Sequence, residues 1–144
     1  METFFHAARE THRIVRTIGC ATMYNTFILQ QFNAPYHQGK PQRIDATGQQ
    51  GIPGEGPYMI VHLCQAAGQP KNIEQAWFET YGCPAAIACG SWLVRWLEGK
   101  TLDEAGKIEA KDLAIVLGGL PLGKEHCAQM TIKALQRGLV EMQK

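Results

Sequence analysis

Two apolar runs of alternating character, Tyr58–Cys64 and Ile73–Tyr81, flank the turn-forming stretch Gly68-Gln69-Pro70-Lys71-Asn72. That pattern specifies an antiparallel hairpin, because residues two apart share a strand face and the Gly-Pro-Asn cluster reverses the chain. Met59, Val61 and Leu63 face one side of the first strand, and Tyr58, Ile60, His62 and Cys64 the other. Gly82 closes the return strand, and Cys83-Pro84 passes directly into a helical run. Proline suits the first helical turn, where its missing N–H has no intrahelical partner to lose. Apolar residues lie on most faces of this helix, which predicts burial on more than one side. It runs to about Glu98 and stops at Gly99.

Helical signals dominate the rest. Before the hairpin, Ile14, Ile18, Ala21, Ile28 and Phe32 form one stripe that Pro35 ends, and Gly19 allows two shorter helices instead. Residues Ala34 to Pro57 are rich in Gly, Pro, Gln and Asn and read as loop, with one weak strand near Arg43 to Gly48. Too little chain precedes this stretch for it to link two domains. After the hairpin, Thr101-Leu102-Asp103-Glu104 has capping-box form and starts a short helix. A further helix covers about Lys111 to Leu117, ended by Gly118-Gly119 and Pro121. The last begins near Lys124 and carries the stripe Ala128, Ile132, Leu135, Leu139, Met142. At 144 residues the chain is one α+β domain: a small antiparallel sheet covered by helices on one face.

Charge narrows the partners. Fourteen Lys and Arg balance thirteen Asp and Glu, which gives no electrostatic case for nucleic acid or an anionic membrane. The apolar runs are too short to span a bilayer, and the first residues lack a secretory apolar segment, so a cytoplasmic protein is expected. Five cysteines, an odd number, argue for reduced thiols over a disulfide framework.

Two of these cysteines stand at helix entrances. Cys83 precedes Pro84, and Cys127 follows Lys124-Glu125-His126. Positive potential at a helix N-terminus favours a thiolate; the alternative is that each is a small buried residue. His126 and Cys127 differ by about 100° around a helix, yet at a helix start both can bend toward one ion. Lys124 adds positive charge near the thiol, or is an ordinary solvated lysine. Cys20, Cys64 and Cys89 read as structural; Cys89 lies about 240° around the helix from Cys83. His6, His12, His37 and His62 show no ligand spacing, and Cys83 with His126-Cys127 matches no compact zinc-finger pattern.

Larger stretches carry a resemblance. Tyr24-Asn25-Thr26-Phe27-Ile28-Leu29 with Phe32-Asn33-Ala34-Pro35, Phe78-Glu79-Thr80-Tyr81-Gly82-Cys83-Pro84-Ala85-Ala86-Ile87-Ala88, Leu97-Glu98-Gly99-Lys100-Thr101-Leu102-Asp103-Glu104-Ala105, and Leu117-Gly118-Gly119-Leu120-Pro121-Leu122-Gly123-Lys124-Glu125-His126-Cys127 resemble the NifU/IscU family of iron–sulfur cluster assembly scaffolds. The resemblance covers about Tyr24 to the C-terminus, a scaffold domain of residues 24–144 behind a helical extension of residues 1–23. It implies a SufE/NifU-like fold with a three-stranded antiparallel sheet and a mostly helical C-terminal half. It implies a site of three cysteines, an aspartate and a histidine that holds a [2Fe–2S] cluster during assembly, or zinc in its absence. Sulfur would arrive as persulfide from a cysteine desulfurase and leave with iron–sulfur recipient proteins, the chain acting as a stoichiometric carrier, monomeric or weakly oligomeric, rather than a turnover enzyme.

By that resemblance Cys83 is the second cysteine, His126 and Cys127 the histidine and third cysteine, and Lys124 the lysine before them. Cys127 would accept sulfur with Lys124 supporting its thiolate. The first motif departs. Where the family has Cys-Gly-Asp before the strand, this chain reads Glu55-Gly56-Pro57. The Leu-Pro-Pro-Val-Lys of the IscU branch is Leu120-Pro121-Leu122-Gly123-Lys124. Glu55, Cys83, His126 and Cys127 are then four candidate ligands. One oxygen, one nitrogen and two sulfurs suit tetrahedral zinc; a cluster, which favours four thiolates, would be held weakly. Two other readings follow: a zinc-dependent persulfide relay, sulfurtransferase-like, or an interaction protein that has lost cluster assembly.

Overall fold

The hairpin is present. In the computed structural model, which describes residues 24–144, Tyr58–Ala66 (β2) pairs antiparallel with Gln69–Tyr81 (β3), Tyr58 opposite Tyr81 and Val61 opposite Phe78. The turn is tighter than the sequence suggests. It occupies Ala67 and Gly68 alone, with Gly68 at φ +75°, and Gln69–Asn72 join the strand. A register shift at Cys64–Ala66 takes up the difference.

A third strand, Ala46–Gln50 (β1), pairs antiparallel with β2 and completes a sheet of order β1-β2-β3. It starts three residues later than the Arg43 expected from sequence. Its sequence, Ala-Thr-Gly-Gln-Gln, has low strand propensity, and its place is set by packing. Ala46 and Gly48 face inward, and Gly48 lies against the backbone of the last helix; a Cβ there would come 1.8 Å from Ala134 O.

Thr26–Asn33 (α1) begins afresh at Asn25. Extended backbone there (φ −76°, ψ 168°) and an Oδ1 accepting from Ile28 N at 2.8 Å make it an N-cap, so no single helix runs through it. Ile14, Ile18 and Ala21 of the expected stripe, with Cys20, His6, His12 and the extension 1–23, lie outside the described residues. Pro84–Leu97 (α2) ends at Gly99 (φ +87°) and is buried on several faces, as its pattern predicts. Leu102–Ala105 (α3) carries the predicted capping box; Ala110–Val116 (α4) and Glu125–Gln143 (α5) follow.

The helices cover one face of the sheet. Met59, Val61, Leu63, Ile73, Ala76 and Phe78 meet Ala88, Leu93 and Leu97 of α2 and Ala128, Ile132, Leu135 and Leu139 of α5 in one core. Two side chains on the opposite sheet face are also buried. His62 is held between Thr47 Oγ1 (3.0 Å, to Nδ1) and Glu79 Oε2 (2.6 Å, to Nε2), and the Cys64 thiol donates to Arg43 O. His37, at φ +48°, stacks between Tyr36 and Trp77 and pairs with Glu98 at 2.9 Å, while its backbone caps the edge of β3. Both histidines are satisfied structural groups, in line with their lack of ligand spacing. Among the described residues no helix is long and apolar enough to cross a membrane.

Candidate functional site

One end of the sheet gathers the reactive side chains. Because Tyr58 pairs with Tyr81 and Gln50 with Met59, the 51–57 loop and the β3–α2 junction leave the sheet together. Cys83 is the N-cap of α2, with extended backbone (φ −84°, ψ 172°) and its carbonyl accepting from Ala86 N and Ile87 N. Cys127 sits in the first turn of α5, after the Pro121–Lys124 turn. Helix α5 packs across β1 and β2, and α2 along β3, and this brings the two thiols into contact across 44 positions of sequence: Sγ to Sγ is 3.6 Å.

The two thiols are unequal. Cys127 is 1% exposed, whereas Cys83 is half-buried and reaches the surface. The Cys83 thiol is held well below the ordinary thiol range, first because Cys127 donates a hydrogen bond to its sulfur. Burial opposes this, while the amide N–H groups of Ala86 and Ala85 and the Tyr24 hydroxyl reinforce it. Cys127 is pushed the other way, first by holding that hydrogen bond, then by burial and by the negative charge on Cys83; Lys124 pulls it back slightly. The pair thus keeps one proton on Cys127 and the charge on Cys83.

His126 is exposed and adjoins the buried thiol, Nε2 lying 3.6 Å from Cys127 Sγ. Its Nδ1 is 3.1 Å from Gly123 O, so the proton belongs on Nδ1 and Nε2 keeps its lone pair toward the sulfur. The Glu125 carboxylate accepts from Gly123 N at 3.0 Å and steadies the same turn.

Cys83, His126 and Cys127 are therefore brought together, with Lys124 beside them. Glu55 is exposed on the 51–57 loop, its N–H bonded to Ile52 O, at the same end of the sheet. Among the described residues no group of three or more His, Cys, Asp and Glu side chains is disposed around one point as a metal site. Two thiols and an imidazole nitrogen are nonetheless donors that iron and zinc accept; among the described residues no fourth donor is grouped with them. Cys89 is wholly buried behind the pair, its thiol pushed up to about 12 by burial, so it stays protonated and structural. Cys64 is buried and bonded on the other sheet face, also structural.

Sequence reasoning passed over two features. Tyr24 opens the first stretch that carries the resemblance, but nothing there links it to the site, and only the packing of α1 on α2 brings its hydroxyl to Cys83. Ile52, Tyr81 and Leu122 are 60%, 67% and 95% exposed, one on the 51–57 loop, one at the end of β3 and one in the turn before α5. Each is a single apolar residue in sequence, and no local pattern marks it as exposed.

Comparison with known proteins bears on family and fold. Residues 23–144 match the NifU-like N terminal domain. An iron–sulfur cluster assembly scaffold protein IscU of Archaeoglobus fulgidus is 36% identical over 119 residues, covering 83% of this chain and 76% of its own. The nitrogen fixation protein NifU of Nostoc is 36% identical over 122 residues, 81% of this chain and 40% of that longer protein. The Drosophila melanogaster relative, 31% identical over 122 residues (83% of this chain, 77% of its own), is named an iron–sulfur cluster assembly enzyme. Among solved structures, an N-terminal NifU-like protein of Brucella abortus superposes with a TM-score of 0.64 at 17% identity, over 85% of this chain and 96% of its own. At that identity the match speaks for the fold alone.

Proposed function

This chain belongs to the family of NifU-like N-terminal domains, and from that premise we propose that it carries iron and sulfur in cluster assembly at the Cys83–Cys127 pair. Relatives named as scaffolds support a carrier role over a turnover enzyme. The observation that carries the reading is the 3.6 Å contact of two thiols beside an imidazole nitrogen at the end of the sheet.

Cys83 and Cys127 supply sulfur ligands to an incoming iron or nascent [2Fe–2S] cluster, and His126 supplies nitrogen through Nε2. Glu55 reaches in from its loop as the oxygen ligand in place of a third thiolate. Sulfur comes from a cysteine desulfurase. The family resemblance makes Cys127 the final acceptor, with Lys124 supporting its thiolate; burial of Cys127 means that Cys83 meets the donor first. Ile52, Tyr81 and Leu122 are exposed apolar side chains on which a desulfurase or a recipient protein can seat.

Anaerobic incubation with iron, cysteine, a cysteine desulfurase and a dithiol reductant tests this directly. A visible charge-transfer band with acid-labile sulfide is expected for the native protein, and its loss for Cys83→Ala. A native protein that remains colourless and sulfide-free sinks the reading.

A further inference from the structure

A cluster requires sulfide, yet a desulfurase delivers sulfur at the oxidation level of a persulfide. Two electrons are needed to make one from the other. The site holds two thiols in contact and is short of the thiolates a cluster favours. Two thiols are the number that supplies two electrons.

We propose that Cys83 and Cys127 form a sulfide-releasing dithiol: a persulfide taken up on Cys83 is cleaved by Cys127 to hydrogen sulfide and a Cys83–Cys127 disulfide. This rests on the reading that the chain accepts sulfur during cluster assembly; it departs from the family expectation by leaving that sulfur on Cys83 instead of passing it to Cys127, and it adds the reductive step. Uptake transfers the outer sulfur of a donor persulfide to Cys83 Sγ, the donor leaving as a thiolate. In the second step Cys127 Sγ attacks Cys83 Sγ. The bond between Cys83 Sγ and the outer sulfur breaks, the new Sγ–Sγ bond forms, and the outer sulfur leaves with its bonding pair. The sulfane sulfur is reduced and the two cysteine sulfurs are oxidised; the Cys127 proton goes to the departing sulfur, which is released as hydrogen sulfide.

Geometry selects this outcome over simple relay. Attack on the outer sulfur would merely move the persulfide to Cys127. Cys127 Sγ lies 3.6 Å from Cys83 Sγ, which becomes the inner sulfur, and is itself buried, whereas Cys83 is half-buried and leaves room at the surface for an outer sulfur. The division of exposure is that of an attacked and a resolving thiol: Cys83 is open to a donor, and Cys127, 1% exposed, is in reach of Cys83 from within. His126 Nε2, 3.6 Å from Cys127 Sγ with its Nδ1 turned to Gly123 O, is placed to receive the Cys127 proton and return it to the leaving group. Both cysteines lie at helix starts, Cys83 as a cap residue outside the helical ladder, so closure to a disulfide takes side-chain rotation without unwinding a helix. The two remaining described cysteines do not compete: Cys89 is buried with its thiol protonated, and Cys64 is on the far sheet face. A dithiol reductant resets the pair, which holds iron only after that reduction.

The test uses the full chain, reduced, desalted and free of iron, mixed anaerobically with glutathione persulfide and no other reductant. The native protein should release one sulfide per chain and lose two hydrogens in mass, with a Cys83–Cys127 cross-link in its peptide map. Cys127→Ser should keep one extra sulfur on Cys83 and release sulfide at least about tenfold more slowly, because the resolving thiol is gone. Native protein that holds a stable persulfide on either cysteine, or that releases sulfide only with glutathione joined to Cys83, overturns the inference. Supplying iron and sulfide directly separates the two claims. A cluster formed there without sulfide release from the persulfide leaves the scaffold reading standing and removes this one; sulfide release without any cluster does the reverse.

Discussion

Cys83 and Cys127 share a hydrogen bond, and that contact is the largest cause of the lowered Cys83 thiol and of the raised Cys127 thiol. Removing the donor should undo the asymmetry. In Cys127→Ala the Cys83 thiol loses the largest cause of its depression and moves up toward the ordinary thiol value of about 8.5. The sign follows: a lowered value keeps the thiolate populated into acid, and a raised one empties it. Alkylation of Cys83 by iodoacetamide, followed by peptide mass, should be nearly constant from neutral to mildly acidic pH in the native protein. In the variant it should fall about tenfold per pH unit over that range. Identical profiles would show that the contact does not tune Cys83. Cys89, pushed up to about 12, should remain unmodified until the protein unfolds. The sequence marks Cys83 and Cys127 as helix-start thiols, but which one is charged depends on their mutual approach and on Tyr24, whose reach to Cys83 no motif announces.

Helix α5 carries Cys127 and is positioned by β1, the strand least apparent in sequence. Gly48 lets the two backbones close. In Gly48→Ala the new Cβ would lie 1.8 Å from Ala134 O and 2.3 Å from Gly138 N, both backbone atoms that no rotamer change can move. We expect a loss of about 1–3 kcal/mol by urea denaturation, typical of overpacking. Weaker protection of the Cys83–Cys127 pair should accompany it, since α5 must lift. Asn25 has two functions at the other end of the site: Oδ1 caps α1 at Ile28 N, and Nδ2 donates to Leu117 O at 2.8 Å. Asn25→Ala should cost about 1–2 kcal/mol, a cap plus a hydrogen bond. Asn25→Asp should recover the cap alone, and equal stabilities for the two variants would argue against that division. The start of β1 departs from its sequence pattern because Gln, Gly and Thr there follow the demands of α5 more than their own propensities. The hairpin and the Thr101 capping box were legible because each is specified by neighbours within a few residues.

Across the whole molecule, three segments meet at one end of the sheet: the 51–57 loop, the β3–α2 junction and the turn before α5. Two of them bring thiols; the first brings Glu55, exposed, at the position that the resemblance assigns to a cysteine. Glu55→Cys should therefore lengthen the lifetime of a reconstituted cluster, read as slower bleaching of its visible band in air. The expected gain follows from replacing a hard oxygen donor with a thiolate that iron–sulfur centres favour. An unchanged lifetime would mean that residue 55 does not reach the thiol pair.

The sequence by itself determined the α+β class, the hairpin and the helix caps, and it marked Cys83, His126 and Cys127 as the candidate chemical residues. These follow from short-range periodicity, capping and motif resemblance. Tertiary structure decided the rest: that Cys83 and Cys127 touch, that one is open and the other sealed, and that Tyr24 and Lys124 act on them. It also decided that Cys89 is withdrawn into the core. Those properties depend on distances between residues far apart in the chain. Such distances are set by how α2 and α5 pack on the sheet, and local sequence does not encode them.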